Sequence, residues 1–153
     1  PAAIGEAGVG RVRAVAEWHP NAGVPAAERI YLEFRQRLRD PRDDYFNMRH
    51  VVMIDMLAAA IEAAGSTEAA LVARQLEGRT HRGPPYAATM RAADHQLLTP
   101  LYVSVMERAG PQAGEGAPKY DLEGSGFGFR TERFVDLQSS ARPHSCTMRR
   151  PAG

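Results

Sequence analysis

Apolar side chains recur at helical spacing in the first half of the chain. Ala27, Tyr31, Phe34 and Leu38 form one stripe at i, i+4, i+7 and i+11, which is typical of a helix with one buried face. Pro25 stands where a first-turn proline is tolerated, and Asp40, which precedes a proline, favours an end to the helix. Similar stripes follow twice more. The pattern predicts helices over residues 25–39, 47–64 and 67–77.

The remaining apolar positions alternate, as expected for strands with one buried face. The clearest case is residues 101–106, in which Leu101, Val103 and Val105 occupy every second position and would share one face of a strand. Residues 109–126 are rich in Gly and Pro and predict a mobile loop. The alternation predicts strands over residues 11–17, 88–91 and 101–106, with a last strand over residues 127–137.

Composition and charge narrow the function classes. Hydrophobic residues make up 44% of the chain and charged ones 24%, and the net charge is only +1. A near balance of 19 basic and 18 acidic residues argues against nucleic acid as the main partner. The chain begins at Pro1 without a signal segment, so we expect any signal peptide to lie upstream. Cys146 is the single cysteine, and its thiol is expected to be free or paired outside this sequence.

The motifs that suggest chemistry do not complete a catalytic or metal site. The glycine-rich residues 124–128 have Phe129 where a dinucleotide-binding loop needs glycine. His144 and Cys146 supply half of a zinc site. Asp94 and His95 adjoin in a turn, without a nucleophile-elbow sequence nearby. We therefore predict that the chain binds no cofactor and no metal and that it is not an enzyme.

Several stretches, in this order, resemble the Leu/Ile/Val-binding family of periplasmic solute-binding proteins. They are GRVRAVAEWHPN at residues 10–21, MIDMLAAAIEAAGS at 53–66, TMRAADHQ at 89–96 followed by PLYV at 100–103, and CTMRRP at 146–151. The resemblance covers nearly the whole chain. It implies an α/β fold of type I, with two doubly wound lobes joined by hinge crossings. It also implies that this segment is the C-terminal portion, with an incomplete sheet.

The resemblance also implies a division of the chain between the two lobes. Residues 1–18 would be a strand segment of the second lobe, residues 19–98 the helical segment of the first lobe, and residues 99–153 second-lobe strands, the loop and a tail. The predicted elements are interrupted at Trp18-His19-Pro20 and at Thr99-Pro100, and these two breaks coincide with the expected crossings. The hinge residues are then Trp18, His19, Pro20, Leu98, Thr99 and Pro100.

The implied function is that of a periplasmic solute-binding component of an ABC importer. It would capture an amino acid, amide or related solute by hinge closure and deliver it to the permease. Trp18, Tyr45 and Phe46 are the candidate solute contacts, because aromatic rings stack on flat or apolar solutes. Alternatively, Trp18 packs the hinge and Tyr45 and Phe46 fix the helix entry. A ligand-sensing regulatory domain of the same fold and a small α/β enzyme remain alternative functions.

The three predicted helices have too little sheet to cover. An α/β domain needs several strands between its helices, and the division that the resemblance implies leaves about one short strand in the lobe that contains the three helices. We expect apolar helix surface to be exposed in this chain and to promote self-association.

Overall fold

The structure is a computed structural model that describes residues 1–40, 42, 48–146 and 148–150. The chain divides into two compact units. Unit 1 comprises Pro1–Asn47 and Leu101–Val135, and unit 2 comprises Met48–Pro100 and Asp136–Gly153. In chain order the elements are a 3-10 turn Gly5–Gly8, β1 Arg13–Ala16, α1 Pro25–Arg37, α2 Met48–Ala64, α3 Ala69–Leu76, β2 Thr80–His81, β3 Ala88–Met90, β4 Leu97–Leu98, β5 Leu101–Arg108, β6 Phe127–Val135 and α4 Leu137–Ser140.

Unit 1 contains an antiparallel sheet in the order β1-β5-β6, together with α1. The long central strand β5 holds the most buried large side chains of this sheet, Val105 and Met106. A Cβ on Gly8 would lie 2.8 Å from the sulfur of Met106, so the 3-10 turn approaches the core only because that residue is glycine. Tyr31 and Ala27 are the buried residues of α1.

Unit 2 combines α2 and α3 with a small antiparallel sheet in the order β2-β3-β4. α2 buries four side chains at i, i+4, i+8 and i+12, namely Met48, Val52, Met56 and Ala60. Its other side is also apolar, yet Met53, Ile54 and Leu57 are 50%, 66% and 47% exposed. α2 therefore has an apolar face that the described residues of unit 2 leave uncovered, as the sequence pattern predicts.

Within the described residues, no helix alone has the length and apolar character of a membrane span. α2 and α3 reach that length and composition only as a pair, and they are bent by 113° at the break between them.

The observed elements refine the predicted boundaries. The first and third helices end at Arg37 and Leu76, and the strand expected over residues 127–137 is β6, which stops at Val135. It stops because Asp136 caps α4, its carboxylate accepting from the Ser139 backbone N–H at 2.9 Å. The two-residue strands β2 and β4 were not predicted, since two residues carry no alternation.

The α/β class with an incomplete sheet is confirmed, since the described residues of each unit form a sheet of three strands. α1 lies in unit 1 with β1, β5 and β6, whereas the sequence prediction grouped this helix with the other two. The assignment of chain segments to the two lobes of a longer protein stays a prediction.

Candidate functional site

A cavity of about 240 Å³ lies in unit 1, between its sheet and α1. β1 and the residues after it supply half of the lining, while α1, β5, β6 and the preceding loop supply the rest. The lining residues are Ala14, Ala16, Trp18, His19, Pro20, Tyr31, Tyr102, Ser104, Leu122 and Phe129.

The cavity exists because β1 presents small side chains to it. Strand alternation puts Ala14 and Ala16 on the same face, and their partners in the antiparallel ladder are Ser104 and Tyr102. Two methyl groups and a hydroxymethyl group leave space next to the large ring of Tyr102. A pair of leucines on β1 would fill that space.

Aromatic rings form the walls of the cavity. The Trp18 and Tyr31 ring centroids are 5.8 Å apart at an interplanar angle of 55°. His19 meets Tyr102 edge to face, with ring centroids 5.6 Å apart and planes at 90°. These are the separations and tilts at which aromatic pairs attract each other, so the rings support one another in position.

His19 is the most constrained polar residue of the lining. Its side chain is buried, and Nε2 lies 2.9 Å from Thr131 Oγ1 and 3.1 Å from Ser104 Oγ. Its Nδ1 is buried with no hydrogen-bond partner in the described part of the chain. Burial disfavours the charged ring and lowers the pKa of His19 to about 4. The imidazole is therefore neutral at physiological pH.

The segment predicted as a mobile loop is tied to the start of α1 by side-chain hydrogen bonds. Asn21 donates to the Tyr120 carbonyl at 2.9 Å and accepts from the Tyr120 N–H at 2.8 Å. Glu28 accepts from Lys119 Nζ at 2.7 Å and from the Tyr120 hydroxyl. Hydrogen bonds from Lys119 and Tyr120 lower the pKa of the Glu28 carboxyl. Sequence reasoning missed this cluster because its members are about ninety residues apart.

The predicted site residues fall in different parts of the chain's structure. Trp18, His19 and Pro20 line the cavity, while Leu98–Pro100 end a segment of unit 2 and immediately precede β5 in the chain. Tyr45 and Phe46 lie outside the described residues. The hinge and solute-contact roles of all these residues stay predictions.

Asp94 and His95, the adjacent pair in unit 2 that suggested a hydrolytic site, both have structural partners. Asp94 accepts two hydrogen bonds from the Arg91 guanidinium, at 2.8 and 2.6 Å, and these hold the pKa of its carboxyl well below its usual range. His95 Nε2 lies 3.1 Å from Glu77 Oε1, which also accepts from Arg150 Nε at 2.7 Å. Among the described residues, no three His, Cys, Asp or Glu side chains are grouped to hold a metal ion.

Comparison with known proteins identifies the class. Residues 1–111 match the periplasmic binding protein family, and the chain belongs to that family. No curated protein matches the chain.

Solved structures are similar in fold. A leucine-, isoleucine-, valine-, threonine- and alanine-binding protein from Brucella ovis is similar over 91% of this chain and 35% of its own, at 17% identity and a TM-score of 0.71. An ABC-type branched-chain amino acid transporter protein from Rhodopseudomonas palustris is similar over 86% of this chain and 32% of its own, at 16% identity and a TM-score of 0.64. A periplasmic binding protein from Burkholderia mallei covers 89% and 33%, at 12% identity and a TM-score of 0.61.

The chain thus spans about a third of the length of these structures. At such identities the likeness establishes the fold. Together with the family match, it confirms the resemblance to binding proteins of branched-chain amino acid transporters that the sequence predicted.

Proposed function

We propose that this chain is part of the solute-binding component of an ABC importer, which captures a small amino-acid-like solute in the periplasm and delivers it to a permease. The observation that carries the proposal is the family match over residues 1–111, joined to a fold likeness at a TM-score of 0.71. Two of the similar structures are named for binding amino acids or for branched-chain amino acid transport. The family is one of binding proteins, and we propose that this chain has no catalytic activity.

The proposed mechanism is hinge closure. A ligand that contacts both lobes binds the closed form better than the open form, and it shifts the equilibrium by that difference in affinity. The two compact units support this proposal, because one of their boundaries follows Pro100, the last of the predicted hinge residues. The proposed crossing at Trp18–Pro20 is a second element of the same hypothesis.

The test uses the longest polypeptide that the gene containing this sequence encodes. Thermal unfolding is measured with a panel of amino acids and amides, with glucose as a control of similar size that lacks ammonium and carboxylate groups. We expect at least one amino-acid-like compound to raise the unfolding temperature in proportion to the logarithm of its concentration. Small-angle scattering should then show a smaller radius of gyration with that compound.

Two outcomes would contradict the proposal. One is the absence of any stabilising compound in the panel, and the other is binding without compaction, which would exclude hinge closure. A fusion of the gene's own N-terminal region to alkaline phosphatase tests export, because that enzyme is active only after it reaches an oxidising compartment. Solute binding without export would favour the ligand-sensing regulatory domain.

A further inference from the structure

The cavity of unit 1 combines room for a ring with a lining that lacks ionised groups. None of the described residues that line it is Asp, Glu, Lys or Arg. His19 is neutral at physiological pH because of its burial, and burial also raises the pKa of Tyr102 above its ordinary value. A ligand that enters this space meets a neutral, largely apolar surface.

The absence of charged side chains in the described lining disfavours zwitterionic amino acids as ligands. The ammonium and carboxylate groups of an amino acid keep their hydration only if the protein supplies partners for them, and burial without such partners is costly. Ser104 Oγ, a polar atom of the lining, lies 3.1 Å from His19 Nε2. An amino acid zwitterion is therefore a poor ligand for this cavity.

The shape of the lining favours a flat ring. Trp18 and Tyr31 form one aromatic wall, Tyr102 belongs to another, and aromatic rings attract at the tilted and edge-to-face geometries seen here. An apolar cavity of about 150 Å³ already holds benzene. A cavity of about 240 Å³ therefore has room for a two-ring molecule.

We propose that this cavity binds a small neutral aromatic molecule of one or two fused rings, for which indole is the probe. The proposal rests on the apolar, aromatic lining and the size of the cavity, which hold a ring by contact with its faces and edges. This proposal goes beyond the solute-binding function and does not depend on it, since it concerns a lining within unit 1 alone.

The experiment measures binding of 5-fluoroindole by fluorine NMR, on the longest polypeptide that the gene encodes. Tryptophan is the matched competitor, because it carries the same ring system together with an ammonium and a carboxylate. We expect saturable binding of fluoroindole and displacement by unlabelled indole at a concentration at least tenfold lower than by tryptophan. Equal displacement by the two compounds would overturn the neutral-ligand assignment.

Variants then locate the site. Ala16→Leu fills the space on β1 and should weaken fluoroindole binding at least tenfold, while Ala63→Leu, at an exposed position of α2, should leave it unchanged. If Ala16→Leu does not fold, Trp18→Leu provides a second test, because this substitution removes an aromatic wall of the cavity without adding volume. Circular dichroism checks that each variant is folded. No saturable binding by the unaltered protein, or unchanged binding by a folded Ala16→Leu or Trp18→Leu variant, would refute the proposal.

Adding amino acids at saturating concentration distinguishes the cavity proposal from the proposed solute-binding function. If they stabilise the protein and leave fluoroindole bound, both proposals stand. If they stabilise it while fluoroindole does not bind, the solute-binding function stands and the cavity proposal fails. If fluoroindole alone binds, the cavity proposal stands without the other.

Discussion

Replacement of His19 by Gln should remove a pH dependence of folding that the structure assigns to this one residue. His19 is 7% exposed, and burial lowers its pKa from 6.5 to about 4 in the folded chain. The folded state therefore favours the neutral ring more strongly than the unfolded state does. The resulting stabilisation is fully present above pH 6.5 and is lost as the pH falls towards 4.

The size of the effect follows from the pKa difference. One pKa unit corresponds to about 1.4 kcal/mol, so a shift from 6.5 to about 4 makes His19 lower the free energy of unfolding by about 3 kcal/mol at pH 4 compared with pH 7. That is a large share of the 5–15 kcal/mol typical of a small domain, roughly a fifth or more. The loss should be monotonic across this interval, because no second titration of the same ring opposes it.

Urea unfolding at several pH values between 7 and 4 measures the effect. Trp18 is the single tryptophan of the 153-residue chain and lies next to His19, so its fluorescence reports unfolding of unit 1. Other groups also titrate in this range, but their contribution to the free energy of unfolding cancels when His19→Gln is compared with the wild type at each pH. His50→Gln, an exposed position on α2, is the matched control and should retain the wild-type slope. An unchanged slope in His19→Gln would refute the reasoning.

Three further predictions concern unit 2. Asp94→Asn removes the carboxylate that Arg91 holds, so hydrogen exchange should speed up in the turn around it. Glu77→Gln weakens the ion pair with Arg150, so the C-terminal tail should become more sensitive to limited proteolysis; wild-type protection in the variant would count against a docked tail. Ile54→Lys puts a charge on the apolar face of α2 and should reduce self-association of the 153-residue chain in sedimentation velocity, whereas Ala63→Lys should reduce it less.

The helices were predictable because each has a local cause. Tyr31 and Phe34 define a stripe within a few residues of each other, and Pro25 opens the helix they belong to. The strand β5 was predictable from its alternation, but it extends beyond the predicted end to Arg108. Glu107 and Arg108 are polar and do not continue the apolar pattern, and they belong to the strand because they pair with β6. Local patterns thus determine element type more firmly than element length.

The cavity depended on pairings that no local pattern contains. Trp18 could be singled out from the sequence as a candidate contact, but nothing near it indicated Ser104 or Thr131, which the sheet brings to His19. Sequence reasoning also had no basis for the link between Asn21 and Tyr120, because a long-range side-chain contact leaves no periodicity. These contacts depend on strand register, which is fixed by the whole sheet.

The exposed apolar face of α2 leads to opposite expectations for the 153-residue chain and for a longer polypeptide that contains it. Met53, Ile54 and Leu57 are 50%, 66% and 47% exposed on one side of this helix, whereas the exposed Val15 and Phe134 of unit 1 lie on opposite faces of their sheet. Large apolar side chains grouped on a surface are stable in water only when something covers them, either a second copy or further polypeptide. The similar solved structures are about three times as long as this chain. A polypeptide of that length should therefore remain monomeric at concentrations at which the 153-residue chain associates. If both forms are monomeric, this face is tolerated in water, and the reasoning that links it to missing cover is wrong.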